Sequence, residues 1–193
     1  MSASGDTGTA GEIVHDPVFG HRLRFEDTTD EHGAPAVLCE MWLEPGGGVP
    51  PHLHPRMEER FTVLAGRPEF LAGRGWVARD PGDTVVIPAG TRHAYRNRGD
   101  AEAHVRCIAT PPDPALAGFL TEAAALARAG RITKLGIPKG AHGWLQGAVM
   151  IEAYGHMVEM SFPPAPPRPL QRLLFPLLAA IARRRGYRAG QLS

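Results

Sequence analysis

The sequence predicts a mainly β domain, a sandwich or a barrel, followed by a helical C-terminal extension. From Phe19 to about Thr110 short β-prone runs alternate with Gly, Pro and Asp turn signals, the spacing of a closed or double-layered antiparallel fold. After Pro114 the pattern changes to Ala- and Leu-rich stretches with helical spacing. At 193 residues and 20.8 kDa the chain suits one sizeable core with extensions and is short for two domains.

The elements follow in order. The first twelve residues, MSASGDTGTAGE, are small and polar and lack the basic start and apolar core of a secretory signal, so residues 1–18 read as a loose tail. Strands are expected at His21–Phe25, Ala36–Leu43, Arg60–Gly66, Trp76–Arg79, Thr84–Pro88, His93–Asn97 and Ala103–Ala109, which places the β domain over residues 19–111. The remainder, 112–193, reads as the extension. Ala115–Gly130 has the composition of a helix and a glycine stop. A second helix is expected over Gly143–Met160. Pro163–Pro169 reads as a stiff connector, because proline removes a backbone donor and fixes φ. Leu170, Leu173, Leu174, Leu177, Leu178 and Ile181 then recur at helical spacing, and Arg183–Arg185 with Gly186 close the segment.

Bulk properties narrow the function. A net charge of +1 supplies no field for a polyanion, so nucleic acid is not an expected partner. The longest apolar run, Leu173–Ala182, contains a proline and falls well short of the roughly 20 residues that span a bilayer, so integral membrane association is not expected. Cys39 and Cys107 each lie in an apolar strand-like run, which reads as two buried thiols in a reducing, cytoplasmic compartment.

The chemistry concentrates in two stretches. In GGGVPPHLHPRMEERFTVLAG, His52 and His54 lie two residues apart, so on a strand both point to one side. Glu59 opens the next strand, where a hairpin can return it beside them, and Glu58 is the rival carboxylate. In GDTVVIPAGTRHAYRN, Gly82, Pro88 and Gly90 frame a tight turn ahead of His93. Three imidazoles and a carboxylate suit one Fe, Mn, Ni or Zn ion and leave coordination positions for a ligand.

These residues carry a resemblance. The first stretch has glycine, five residues, His-x-His, four residues, glutamate, six residues and glycine, as Gly46, His52, His54, Glu59 and Gly66. The second has glycine, five residues, proline, one residue, glycine, two residues, histidine, three residues and asparagine, as Gly82, Pro88, Gly90, His93 and Asn97. Together they resemble the two motifs of the cupin superfamily. The resemblance implies a jelly-roll barrel, a double-stranded β-helix, with His52, His54, Glu59 and His93 facing inward around one divalent transition-metal ion. It also implies a homodimer and a small-molecule ligand or substrate. It covers the barrel and not the helical extension.

Around this set, Tyr95 and Asn97 share the period-two face of His93 and are candidates to border the cavity. Tyr95 is a candidate acid or base and equally a core residue, and Asn97 is equally a tie between the strand end and a loop. Phe61 and Val63 follow Glu59 in phase and are expected to form an apolar pocket wall. His21, His104, His142 and His156 lack a spacing partner and are expected at the surface or behind the ligands. Two function classes follow: a metal-dependent enzyme on a small organic substrate, by dioxygenation or by Lewis-acid isomerisation, cyclisation or elimination, and a non-catalytic module that binds or senses a small molecule.

Overall fold

The structure, a computed structural model, describes residues 11–73, 75–160 and 168–191. Two antiparallel sheets form the β domain. Strands β1 (Ile13–Asp16), β2 (His21–Thr29), β3 (Pro35–Leu43), β5 (Glu58–Ala65), β8 (Thr84–Ile87) and β10 (Ala103–Thr110) build a six-stranded sheet in the order β1-β2-β3-β10-β5-β8. Strands β4 (His52–Leu53), β6 (Glu69–Ala72), β7 (Gly75–Ala78), β9 (His93–Arg96) and β11 (Glu159–Met160) build the other, ordered β11-β4-β9-β6-β7.

Period-two patterning explains the barrel wall. In β5, Glu59, Phe61 and Val63 are buried, whereas Glu58, Arg60 and Thr62 are only partly so. The inward side chains of both sheets meet in one core that includes Leu23, Met41, Leu43, Phe61, Phe70 and Val105. Gly66, which closes the first motif, has φ +75°, and a Cβ there would lie 2.7 Å from Ala103 Cα. Only glycine lets the chain turn this close to β10.

Helices α1 (Ala115–Arg128), α2 (Gly140–Tyr154) and α3 (Arg168–Arg184) follow. Leu116 on α1 packs with Val37, Met57 and Ala109 of the barrel, and Leu126 packs with Met150 of α2. Leu145, Ala148 and Val149 of α2 meet Ala179 and Ala182 of α3. The buried Glu122 carboxylate accepts from the Gln146 side chain and from Gly190 N–H (2.8 Å), joining α1, α2 and the chain beyond α3. No helix among the described residues is long and apolar enough to cross a membrane.

Three expectations need correction. The sheet begins earlier than the barrel span 19–111: Ile13–Asp16 pairs with His21–Arg24, inside the stretch read as a tail, of which residues 1–10 lie outside the described residues. Four alternating residues before a turn leave little periodicity to detect. Strand β6 was also unexpected, its four-residue run beginning with a charge. The second helix does not reach Met160. It ends at Tyr154 because Gly155, whose N–H bonds Ile151 O, lets the chain leave where a Cβ would sit 2.4 Å from that oxygen. Glu159 and Met160 then pair with Leu53 and His52 as a strand. Of the expected connector Pro163–Pro169, residues 161–167 lie outside the described residues, and helix α3 includes 168 and 169.

Candidate metal centre

His52, His54, Glu59 and His93 come together: one ligand atom from each lies within 4.8 Å of all the others. Register produces this. His52 on β4 is directly opposite His93 on β9, and their ring centroids are 4.3 Å apart. Glu59 arrives from β5 in the facing sheet, pointing inward because it shares the phase of Phe61 and Val63. Glu58 points the other way and lies within 4.0 Å of Arg60. The two motifs are also tied directly, since Gly90 N–H donates to His54 O at 2.7 Å.

Each imidazole is oriented by a backbone carbonyl. Nδ1–H of His52 donates to Pro50 O (3.1 Å), that of His54 to Met157 O (2.9 Å) and that of His93 to Thr91 O (2.9 Å). A carbonyl only accepts, so Nδ1 carries the proton in all three rings and the lone pair lies on Nε2. This is the outer arrangement that fixes the tautomer of metal-binding histidines.

The ligand-facing atoms then test the fit. His93 Nε2 and Glu59 Oε2 are 2.7 Å apart, buried, and in no hydrogen bond. His54 Nε2 lies 3.6 Å from the same oxygen. Acceptors facing one another at this range require a cation or a proton between them, so the cluster fits a divalent ion. Burial opposes charge on Glu59, but the three histidines, His54 foremost, bring its pKa down to about 2 and keep it a carboxylate. Burial, aided by the neighbouring His93 and His54, lowers His52 to about 3 and keeps it neutral. Burial also opposes charge on His93, and there Glu59 prevails and raises the pKa. The second carboxylate oxygen accepts from the Cys107 thiol at 3.8 Å.

The centre opens into a cavity of about 390 Å³ between the barrel and the helices. Of the expected pocket residues, Phe61 and Tyr95 line it; Val63 and Asn97 do not. Val63 is 1% exposed within the barrel core. Asn97 is consumed by the turn after β9: its amide donates to Leu43 O (2.9 Å) and Ala101 O (2.7 Å), and its oxygen accepts from Gly99 N–H (2.9 Å). Tyr95 is buried, with its hydroxyl 3.2 Å from His21 Nδ1. Burial pushes that phenol well above its usual pKa, so the hydroxyl stays neutral.

His21 is therefore not a surface residue: it is 1% exposed, and burial, with the neighbouring His15, lowers its pKa to about 4. His104 stacks on Trp42, and His142 and His156 are exposed; none joins the cluster. Residue patterns missed two contributors. Met157 acts through its carbonyl, which no side-chain pattern marks. Cys107 was expected to pack, and its phase in β10, opposite Phe61 of β5, was the available signal. Cys39 and Cys107 are both free thiols.

A model of the Cupin domain family matches residues 39–109. The chain is 39% identical over 88 residues to the polyketide synthase CurC of Streptomyces cyaneus, covering 44% of this chain and 56% of that protein. It is 29% identical over 109 residues to germin-like protein 5-1 of Oryza sativa subsp. japonica, covering 51% and 46% respectively. The chain thus spans about half the length of these curated relatives. Among solved structures, a sugar phosphate isomerase from the cupin superfamily of Silicibacter pomeroyi shares 26% identity at a TM-score of 0.43, with 49% of this chain and 62% of that one covered. With both motifs in place on two antiparallel sheets, residues 39–109 of this chain form a cupin domain.

Proposed function

We propose that the protein is a metal-dependent enzyme acting on a small organic substrate, with His52, His54, Glu59 and His93 as the ligands of one divalent transition-metal ion. The observation that carries this reading is the set of three Nε2 lone pairs, each fixed by a carbonyl behind it, converging on one buried carboxylate. Iron would supply oxidation by dioxygen, and Mn, Ni or Zn would supply Lewis-acid polarisation for isomerisation, cyclisation or elimination. The chain's own residues hold the carboxylate ionised, keep water away with an apolar wall that includes Phe61, and offer Tyr95 as a neutral donor or acceptor.

A non-catalytic binding module is the second reading, and the cavity lining favours it in one respect. Apart from the cluster and Tyr95, the described lining residues include no side chain suited to acid or base work; the two thiols are held protonated by burial. The two readings separate on substrate consumption. Protein loaded in turn with Fe(II), Mn(II), Ni(II) and Zn(II) is offered a panel of enols and phenols, beside a His52→Ala, His93→Ala double variant. Turnover with one metal, absent from the variant, supports the enzyme; tight binding with every ligand recovered unchanged supports the module.

The proposal extends to assembly and location. Leu173 and Leu177 are 63% and 60% exposed on α3, and Leu170, Leu174 and Ile181 continue the same stripe, which supports a homodimer that covers it. Light scattering should then give twice the 20.8 kDa of the chain, and a monomer at high concentration would count against it. Two free, buried thiols support a reducing, cytoplasmic setting.

A further inference from the structure

We infer that the ligand of this cavity is an apolar molecule with a single metal-chelating head, and that the helical extension exists to enclose its tail. The head rests on the metal centre proposed above; the tail rests on the cavity alone.

Among the described residues, the charged and metal-ligating side chains gather at one end of the cavity. His52, His54 and Glu59 occupy that end. Beyond them the barrel contributes Met41, Phe61 and Tyr95, with Cys39 and Cys107 between, and the Tyr95 hydroxyl is already bonded to His21. Phe19, Leu23, Val49 and Pro50 also come from the barrel, and the remaining described lining residues belong to the extension. Helix α1 supplies Leu116, Phe119, Leu120 and Leu126; the loop to α2 supplies Ile132, Ile137 and Pro138; α2 supplies Met150 and Ile151; α3 adds Phe175. Among the described residues, no lysine, arginine, aspartate, serine, threonine, asparagine or glutamine lines the cavity.

That composition selects a chemistry. A phosphate, a second carboxylate or a chain of hydroxyls would leave its hydration behind and, beyond the cluster, meet no cation among the described lining residues and only the Tyr95 hydroxyl, the Trp144 indole N–H and two weakly donating thiols in return. A hydrocarbon or aromatic body gains by the same transfer, about fourfold in affinity for each methylene buried. A volume of about 390 Å³ exceeds what a two-carbon chelator needs and suits a drug-sized molecule. Entry is on the helical side, where Leu135 and Trp144 line the cavity yet are 49% and 43% exposed.

The test is titration calorimetry of Zn(II)-loaded and metal-free protein with one chelating head on different bodies: acetohydroxamate, octanohydroxamate and gluconohydroxamate, with octanamide as the tail lacking the chelator. Octanohydroxamate should bind the loaded protein at least about a hundredfold tighter than acetohydroxamate. Gluconohydroxamate should bind no tighter than acetohydroxamate, and octanamide should bind weakly and equally with or without Zn. Ala123→Leu, which adds volume at a lining position of α1, should weaken octanohydroxamate at least tenfold and leave acetohydroxamate unchanged. Should that variant not fold, the wild-type series decides alone. Affinity independent of the tail, or preference for the polyhydroxylated body, would overturn the inference while leaving the metal centre standing. Octanohydroxamate and octanamide binding alike, with or without Zn, would overturn the metal reading and uphold the apolar cavity.

Discussion

The two ends of the cavity are built on opposite plans. At the barrel end a few polar side chains sit on strands in register, each imidazole held by a carbonyl at 2.9–3.1 Å. At the helical end many apolar side chains contribute bulk, and positions are set by packing and by one buried carboxylate, Glu122, that ties the helices together. Precision at one end and volume at the other imply that substitutions should separate cleanly. Changes in the barrel should alter the ion, and changes in the helices should alter stability and ligand preference.

The largest effect on stability is expected in the helical end. Leu126, 1% exposed and packed on Met150, lines the cavity from α1, and Leu126→Ala should cost about 2–5 kcal/mol in chemical denaturation. Metal stoichiometry at ambient temperature should not change. Loss of metal in this variant would show that the two ends are not separable.

A pH series probes the layer behind the metal end. His21 titrates near 4 in the folded chain against an ordinary 6.5, so the unfolded chain takes up the proton first. Its contribution is complete above pH 6.5 and is lost as pH falls towards 4, by about 3 kcal/mol over that window. The wild type should therefore lose stability between these limits more steeply than His21→Gln, whose side chain does not titrate. Parallel curves would mean that His21 is not held neutral by burial.

A smaller effect sharpens the boundary between site and scaffold. Asn97→Ala removes three hydrogen bonds that close the turn after β9, and should cost about 1–3 kcal/mol. Ligand affinity should be unchanged, because Asn97 does not line the cavity. A selective loss of affinity at full stability would return it to the pocket.

The same contrast explains what was legible in the sequence. His52, His54, Glu59 and His93 were readable because a ligand set demands particular residue types at fixed spacing, and strand periodicity says which way they face. Glu59 was separable from Glu58 by its six-residue spacing to Gly66, and the burial of Glu59, Phe61 and Val63 in one phase of β5 agrees. The helical end demanded only apolar bulk, and Leu120 or Met150 look in sequence like any core residue. The expected second helix ran through Gly155 because the pairing of Glu159–Met160 with Leu53 and His52 is a long-range contact with no local signature. For that reason the motifs point to the barrel alone, although Met157 of the extension orients His54. Asn97 stayed open between pocket and tie because facing inward on a strand does not distinguish a cavity from a turn that consumes the side chain; its three hydrogen bonds place it in the turn.

Elemental analysis of protein purified without added metal or chelator tests the central claim most directly, with Glu59→Gln, Glu58→Gln and the His52→Ala, His93→Ala double variant beside it. On this reading the wild type and Glu58→Gln should each hold near one equivalent of a single transition metal. Glu59→Gln should weaken metal binding by more than the roughly 10- to 100-fold that loss of an outer partner costs, and the double variant should hold none. A wild-type protein that takes up no metal, even after reconstitution, or a double variant that retains a full equivalent, would contradict it.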